Sequence, residues 1–522
     1  MAGYTTEKLE DLKPAVVHLD DVEADAVKPE AVKVDEKISA WQSIKKFPMA
    51  VAWCCYMLFI CIMWGYDGLA GSIVLSIPRF RQDYGYLYNG QYVVSADWQL
   101  GFTSASLVGL MFGGAVTGYM TERFGQKICI TAAYALTIGG VFAQWYSPGD
   151  MPLFFGGKLL TGIPLGVFLT VAPIYTSEVA PPALRGAMVA AVNFSIVIGQ
   201  LIGYGVMREV QSIDGPNSYR IMYAVQWGFA GVGLALIFFL PESPIRLVAR
   251  GKEDQARESI RKLYTAEVDL ETKMAEIKAV LSHDAEQQNQ SGSYRECFNS
   301  KNRLRTAIAL SVFFFQASSG VAWVVGYMGY FMQLSGMQGL EVFDATVGIA
   351  GAMAVGSMVS WVTVEKLGRR RTIFFGMLTC TASLLLIAIL ALFVDRGKPV
   401  VLTQVAFMAL WAFMYQASIG SVGFTLIAEV PTSHLRGVTQ SMATMMNGLS
   451  NAVWALALPY MVNPDQANMG GKVAFIFFGL LLLGDIFVFF YYPETKGRSF
   501  EEIDALFERG VPPRKFETTK LD

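Results

Sequence analysis

The 522 residues predict an all-α membrane protein, with twelve transmembrane helices in two six-helix bundles and cytosolic amphipathic helices between the halves. Three observations carry this reading. Hydrophobic residues make up 53% of the chain and charged residues only 16%, whereas a water-soluble globule is about 25% charged. Apolar runs of the length that a bilayer core demands, about 20 residues per helix, recur about twelve times between Met49 and Tyr491. Motifs of the first half also return in the second at a nearly constant spacing.

The first 48 residues, rich in Glu, Asp, Lys, Val and Ala, predict a largely disordered polar arm. They hold no apolar run with a cleavage site, so no removable signal peptide is expected and the first spanning helix should direct insertion. Apolar runs follow near 49–75, 97–119, 128–147, 152–176, 187–207 and 221–240, and again near 306–333, 343–364, 372–394, 402–428, 438–462 and 472–492. Between the sets, ARESIRKL and ETKMAEIKAVL have the composition of amphipathic surface helices rather than of a Gly/Ser linker. The expected division is a tail over 1–48, bundles over 49–240 and 306–492, a helical linker domain over 241–305 and a second tail over 493–522.

Lys and Arg near the span ends set the expected orientation. Lys45, Lys46, Arg123, Lys127, Arg185, Lys366, Arg369 to Arg371, Arg436, Lys496 and Arg498 fall on one side together with the central segment. The opposite loops carry fewer, so both termini are expected in the cytosol, in agreement with an even span count. The plasma membrane is the expected location, with no legible sorting signal.

The net charge of -2 and the lack of basic blocks with interleaved aromatics exclude nucleic-acid binding. Five of the six cysteines lie in apolar runs, which leaves no disulfide framework, and the three histidines have no partners at metal-ligand spacing. No metal, no cofactor and no enzyme chemistry are expected. The glycines of GLMFGGAVTG, GIPLG and GVGLA lack the strand and lysine of a phosphate loop and fit close helix packing. The NQS triplet at 289–291, on the cytosolic side, should stay unmodified.

The repeat is specific. GYMTERFGQK at 118–127 answers TVEKLGRRR at 363–371, so that Glu122 and Glu365 stand 243 residues apart. SEVAPPALRG at 177–186 answers AEVPTSHLRG at 428–437, with Glu178 and Glu429, like Arg185 and Arg436, 251 apart. PESP at 241–244 answers PETKGR at 493–498, with Glu242 and Glu494 252 apart. Such a repeat with equal span counts implies two parallel-oriented bundles and a site between them at mid-membrane.

These motifs, with GYD at 65–67, PIYTSEVAPPALRG, GQLIG at 199–203 and PETKGRSFEE, resemble the major facilitator superfamily and, within it, the sugar porter family, over about 50–510. GKLLTGIPLGVF, LRGAMVAAVNFSIVIGQLIGYGVM, SYRIMYAVQW and PYMVNP are similar to the fungal maltose and general α-glucoside permease branch. The resemblance implies the major facilitator fold and proton-coupled movement of a sugar or glycoside, a maltose-like α-glucoside or a hexose, by alternating access. The partners implied are that solute, a proton and the lipid bilayer.

Ionisable groups inside spans are costly and usually functional or paired, which makes Asp67 the most informative carboxylate. A shielded carboxylate holds its proton more readily than one in water, which suits coupling, and the resemblance implies that role for the aspartate of GYD. At the outer boundary it would simply contact water. Lys158 in GGKLLTG stands where many sugar porters have an arginine that can pair with this aspartate, although Lys lacks the rigid fork of Arg; near a helix end it could instead snorkel to water.

For a hydroxylated solute, amides both donate and accept, and flat rings stack without adding charge. The resemblance implies solute contacts at Gln200, Gln316, Tyr327 and Asn447, with helix-to-helix bonding as the alternative for the amides. Departures accompany these matches. The seventh-span pattern QQxxGxNxxxYY appears as QASSGVAWVVGY, with Ala317, Ala322 and Gly326 replacing Gln, Asn and Tyr, and Phe424 replaces the tenth-span tryptophan. A roomier, less polar pocket fits a larger or less hydroxylated ligand than glucose, and Trp323 could restore stacking or merely pack.

Arg123, Glu178, Arg185, Glu242, Arg369, Arg370, Glu429, Arg436 and Glu494 lie at helix ends and are expected to gate: ion pairs between bundles on the cytosolic face would hold the outward-open state, with the linker helices as a latch. Plain positive-inside anchoring is the alternative. Gln126, where the family has arginine, predicts a weaker network in the first half. Competing readings of function are a uniporter or exporter of a non-sugar organic solute, and a non-transporting nutrient sensor, which the short tails disfavour.

Overall fold

The computed structural model describes residues 40–264, 270–289, 294–337, 340–432, 435–498 and 500–519. Helix α1 (Ala40–Lys46) precedes the first six spans, α2 (Pro48–Ile73), α4 (Ala96–Phe124), α5 (Gln126–Trp145), α6 (Met151–Val179), α7 (Pro182–Val210) and α8 (Asn217–Ile237). Between α2 and α4 lie a short helix α3 (Pro78–Tyr84) and an antiparallel hairpin of β1 (Tyr86–Tyr88) and β2 (Gln91–Val93). The linker contributes α9 (Pro244–Ala249), α10 (Glu253–Leu263), α11 (Leu270–Asn289) and α12 (Tyr294–Cys297). The second six spans are α13 (Arg303–Ala317) with α14 (Val321–Leu334), α15 (Leu340–Leu367), α16 (Arg369–Leu390), α17 (Lys398–Ala417) with α18 (Ile419–Glu429), α19 (Arg436–Val462) and α20 (Ala474–Tyr491), and α21 (Phe500–Glu508) ends the helical part.

Among the described residues, eleven segments are long and apolar enough to cross a membrane. The twelfth, α19, has 27 residues; Gln440, Asn447, Ser450 and Asn451 make it too polar for that criterion. Polar groups inside a span face the bundle interior when they are used, and α19 is where several gather.

Two spans expected as continuous are broken. The seventh is interrupted at 318–320, where Gly320 takes φ +90°, in the left-handed region, and where a Cβ would stand 3.2 Å from the Phe477 ring. The tenth breaks at Ser418, between α17 and α18. Irregular backbone at membrane depth is tolerated where protein or a water-lined cleft surrounds it, so breaks of this kind mark the interior.

The first six spans pack on one another, α2 on α6 and α7, α4 on α6, and α5 on α6 and α8; α15 packs on α17, α16 on α17 and α20, and α13 on α19. Contacts between the sets run through α7 with α15, α4 with α19, and α2 with α14. Glycine permits the closest approaches: a Cβ on Gly113 would meet Ile163 O at 2.1 Å, and one on Gly166 would meet Leu110 O at 2.2 Å. Close packing therefore accounts for Gly109 and Gly113 of GLMFGGAVTG and for both glycines of GIPLG, whereas a Cβ on Gly118 would meet nothing within 4 Å. Helices α9 and α10 pack against each other and against α6 and α2 of the first set, while α12 contacts α19 of the second. Of the NQS triplet, Gln290 and Ser291 lie outside the described residues.

Candidate functional site

Asp67 points into the first set of helices and is 3% exposed. Its Oδ1 accepts a hydrogen bond from Gln226 Nε2 of α8 at 2.7 Å and faces Lys158 Nζ of α6 at 3.6 Å. Lys158 is 2% exposed and sits over the Tyr223 ring at 5.4 Å, so it does not snorkel to the surface. A buried ion pair of this kind is held by geometry and by the extra hydrogen bond, because desolvation of both charges offsets much of their attraction. Rings of Phe80, Tyr84, Phe154 and Tyr219 stack beyond Tyr223 toward α3 and close that side of the cluster.

A second group of polar side chains lines the seam between the two sets. Gln316, at the end of α13, donates to Ile419 O at 3.3 Å and Gly420 O at 3.1 Å, at the break between α17 and α18. Its Oε1 accepts from Asn447 Nδ2 at 3.2 Å, and Asn451 donates to Asn447 Oδ1 at 2.8 Å. Both helix breaks thus converge on one amide chain with α19. Gln200 has a buried Oε1 without a partner among the described residues. It shares a face of α7 with Asn193 and Tyr204, seven residues before and four after. Asn193 donates to Gln416 Oε1 at 3.2 Å and Ser421 Oγ at 3.1 Å, and Tyr204 donates to Val325 O, so this face of α7 looks onto the second set.

Trp323 is fully enclosed, its indole N–H unpartnered among the described residues and its ring against Phe331 at 5.6 Å, so in this state it packs rather than offering a stacking face. Tyr327, one turn on, is also buried. Phe424 is 53% exposed and stands edge-on to Phe313 at 5.1 Å. Gly326 does not widen a pocket here. A Cβ on it would come within 3.3 Å of Ser72 Cβ, and one on Gly329 within 2.8 Å of Ser76 Oγ, so the two glycines let α14 close on the end of α2.

That closure belongs to a seal on the face opposite the termini. Gln333 donates to Ser76 O and accepts from Arg81, both at 2.7 Å. Gln99 and Asn463 bond at 2.8 Å, Asn463 also donates to Val94 O at 2.9 Å, Tyr460 donates to Asp97 at 2.7 Å and Tyr86 to Asp465 at 2.7 Å. Arg208 pairs with Asp344 on the same face. Each of these joins one set of helices to the other.

On the face bearing the termini, the repeated carboxylates are held inside their own set or, for Glu178, also by the linker. Glu242 accepts from the backbone N–H groups of Gln126 and Lys127 at 2.8 and 3.4 Å, and Glu494 from those of Arg369 and Arg370 at 2.9 and 3.2 Å, so the repeated carboxylate caps the start of α5 and of α16. Glu178 takes the Gln126 amide and Arg246, each at 3.3 Å. Glu429 takes Arg369 Nε and Nη2, at 3.2 and 2.8 Å. Gln126 thus gives Glu178 one amide nitrogen where Arg369 gives Glu429 two guanidinium nitrogens. Arg370 donates to Phe489 O at 2.8 Å and Arg123 to the Tyr119 hydroxyl at 3.2 Å. The side chains of Arg185 and Arg436 lie outside the described residues.

Sequence reasoning passed over Gln226, Asn193, Gln416 and Asn451, all polar amides within apolar spans and detectable by the criterion that singled out Gln316. It also passed over Asp485 in the last span, 5% exposed and bonded to the Thr381 hydroxyl at 2.6 Å.

A profile of the family described as "Sugar (and other) transporter" matches residues 53–507. The general alpha-glucoside permease of Saccharomyces cerevisiae is 30% identical over 501 residues, which cover 94% of this chain and 81% of that protein. The MFS transporter fmqE of Aspergillus fumigatus is 27% identical over 529 residues, covering 98% of each. Among solved structures, the inward-open conformation of the xylose transporter XylE from E. coli matches with a TM-score of 0.71 at 22% identity, over 88% of this chain and 99% of that one. Matched across its spans by the profile and by full-length relatives, and built on the major facilitator fold, the chain belongs to the sugar (and other) transporter family, whose members are membrane transporters and not enzymes.

Proposed function

We propose that this chain moves an uncharged sugar or glycoside, a maltose-like α-glucoside, across the plasma membrane by alternating access, in symport with a proton carried by Asp67. The observation that carries the proposal is the placement of Asp67. It is buried against Lys158 and Gln226 on the helix whose next turns, at Ser72 and Ser76, seal against α14. A proton on Asp67 removes the charge that Lys158 faces and so changes how α2 is held to α6; because α2 also forms the seal, protonation and opening act on one element. A two-state element biased by a local charge change is the general form of such coupling.

The solute site is the seam of Gln200, Gln316 and Asn447, with Phe424 and Tyr327 as neighbouring rings. It offers amides and carbonyls without a fixed charge among its described groups, which suits hydroxyls rather than an ion. The relative that transports alpha-glucosides, by its name, points to the same solute class.

With the termini in the cytosol, as the positive charges favour, a seal on the opposite face makes this the inward-facing state. The rocking units are the bundles of 49–240 and 306–492, with the linker of 241–305 and the tails of 1–48 and 493–522 on the cytosolic side. In the outward-facing state Arg123, Arg185, Arg370 and Arg436 meet the carboxylates of the facing bundle, which in the present state are satisfied within their own half or, for Glu178, also by Arg246 of the linker.

The test is uptake of labelled maltose and glucose by transporter-deficient cells expressing the protein, with and without a protonophore. Maltose uptake that collapses with the protonophore is expected. No uptake of either sugar by correctly localised protein would overturn the proposal. One feature favours a second reading, uniport or export of another organic solute: Ala317, Ala322 and the close-packing Gly326 stand where the sugar-porter pattern has polar groups. Protonophore-insensitive flux is its signature.

A further inference from the structure

Beside Asp67 a cavity of about 50 Å³ opens between α2, α4 and α6, and its lining includes Asp67, Gly68, Ser72, Thr103, Ser106 and Lys158. Both protein contacts of the carboxylate use Oδ1, from Gln226 Nε2 at 2.7 Å and Lys158 Nζ at 3.6 Å. Oδ2 therefore has no protein partner among the described residues. The Ser72 and Ser106 hydroxyls make no hydrogen bond to a described residue either. Thr103 spends its proton on Gln99 O at 2.9 Å, and its oxygen remains free to accept. A polar cavity holds water when it has room for at least one molecule, about 10–15 Å³ of accessible volume, and two to four polar partners. This one has both.

The cavity also has an exit. A Cβ on Gly68 would meet nothing within 4 Å, and Gly68 is exposed, so the α2 wall opens beside Asp67. Ser72, one turn on, lies at the seam against Gly326 of α14. On the other sides of Asp67 stand Lys158 from α6, Tyr223 and Gln226 from α8, and Tyr66 of its own helix, whose hydroxyl is committed to Met222 O. The Tyr223 hydroxyl is also without a partner among the described residues, but Tyr223 is fully buried, so the cavity is the side of Asp67 that combines free hydroxyls with an opening, beside Gly68.

We propose that water in this cavity, held by Thr103 and Ser106 as positioning residues, is the path by which a proton leaves Asp67 for the cleft between the halves. The inference rests on the proton coupling proposed above. In the step, the O–H bond at Asp67 Oδ2 breaks and the cavity water takes the proton. That water passes a proton to the next water toward the cleft, and the carboxylate left behind faces Lys158. When α2 and α14 part, Ser72 faces the other side and loading runs by the reverse step.

The test compares Thr103→Val with Ser106→Ala, separately and combined, in cells preloaded or not with maltose. Solute exchange at equal concentrations needs no deprotonation, whereas net accumulation does. The expected result for the double variant is counterflow of labelled maltose close to wild type, with protonophore-sensitive accumulation down about tenfold, roughly 1.4 kcal/mol of barrier. Its net uptake should also show an altered pH profile, and Thr103→Ser should restore both. Accumulation equal to wild type would overturn the inference, as would counterflow and accumulation falling together, which marks a merely structural role. Wild-type protein with neither counterflow nor accumulation would overturn the underlying reading, and with it the inference, before any variant is made.

Discussion

At the face bearing the termini, the first half holds Glu178 with a neutral amide, Gln126, and with a cation borrowed from the linker, Arg246 of α9, each at 3.3 Å. The second half holds the equivalent Glu429 with two nitrogens of Arg369, at 3.2 and 2.8 Å, and with the Thr495 hydroxyl. The repeat thus preserves the carboxylate and the cap from Glu242 or Glu494, while the donor differs. In the second half the cation comes from the start of α16 itself, so the network is internal to the bundle. In the first half it comes from α9, so the network also fastens the linker to the bundle.

The largest effects are expected where the halves agree. Gly125 and Gly368 take φ +103° and +89°, and a Cβ on them would lie 2.8 and 2.4 Å from the capping carboxylates of Glu242 and Glu494. Gly368→Ala and Gly125→Ala should each destabilise by about 2–3 kcal/mol, through left-handed strain and displacement of the cap. Gly368→Ala should be the worse of the two, read as a lower melting temperature in detergent.

Arg369→Gln copies the first half's amide into the second without supplying the linker cation. It should cost about 2 kcal/mol, since Glu429 is left with weaker donors, whereas Gln126→Ala should cost about 1 kcal/mol. Equal losses would remove the distinction between the halves. Arg246→Gln should cost about 1 kcal/mol and, in addition, raise amide hydrogen exchange in α9 and α10, an effect that Arg369→Gln should lack. Smallest is Tyr86→Phe in the seal on the other face. It removes one exposed hydrogen bond to Asp465, worth about 0.5 kcal/mol, and should shift the balance of states slightly, read as greater labelling, from that face, of a cysteine introduced at Gln200.

The spans were legible because a bilayer demands apolar length, and each expected run overlaps a helix or a pair of helices. The breaks at 318–320 and Ser418 were not, because they sit inside runs that stay apolar across the break; only Gly320 could have hinted at one. Helix α3 and the hairpin were also unforeseen, as the loop from 74 to 95 offers just a few residues to each. Repeated motifs made Glu178, Glu242, Glu429 and Glu494 readable as partners of helix ends, yet the partners expected across the bundles are replaced here by donors of the same half or of the linker. Gly326 shows the limit well: a missing side chain in the sequence suggests an open pocket, but which neighbour fills the space is decided by packing, here by Ser72. Gln226 lies outside the repeated motifs, although a polar amide in an apolar span invites the same question wherever it occurs.

The central claim, that Asp67 couples a proton to solute movement, is tested most directly by Asp67→Asn, which keeps the shape and the contact with Gln226 but removes the titrating group. Maltose uptake into an acidified medium's cells and equal-concentration counterflow would be measured on the same preparation. Loss of protonophore-sensitive accumulation with counterflow retained is the predicted result; accumulation by Asp67→Asn that matches wild type and still collapses with the protonophore would contradict it.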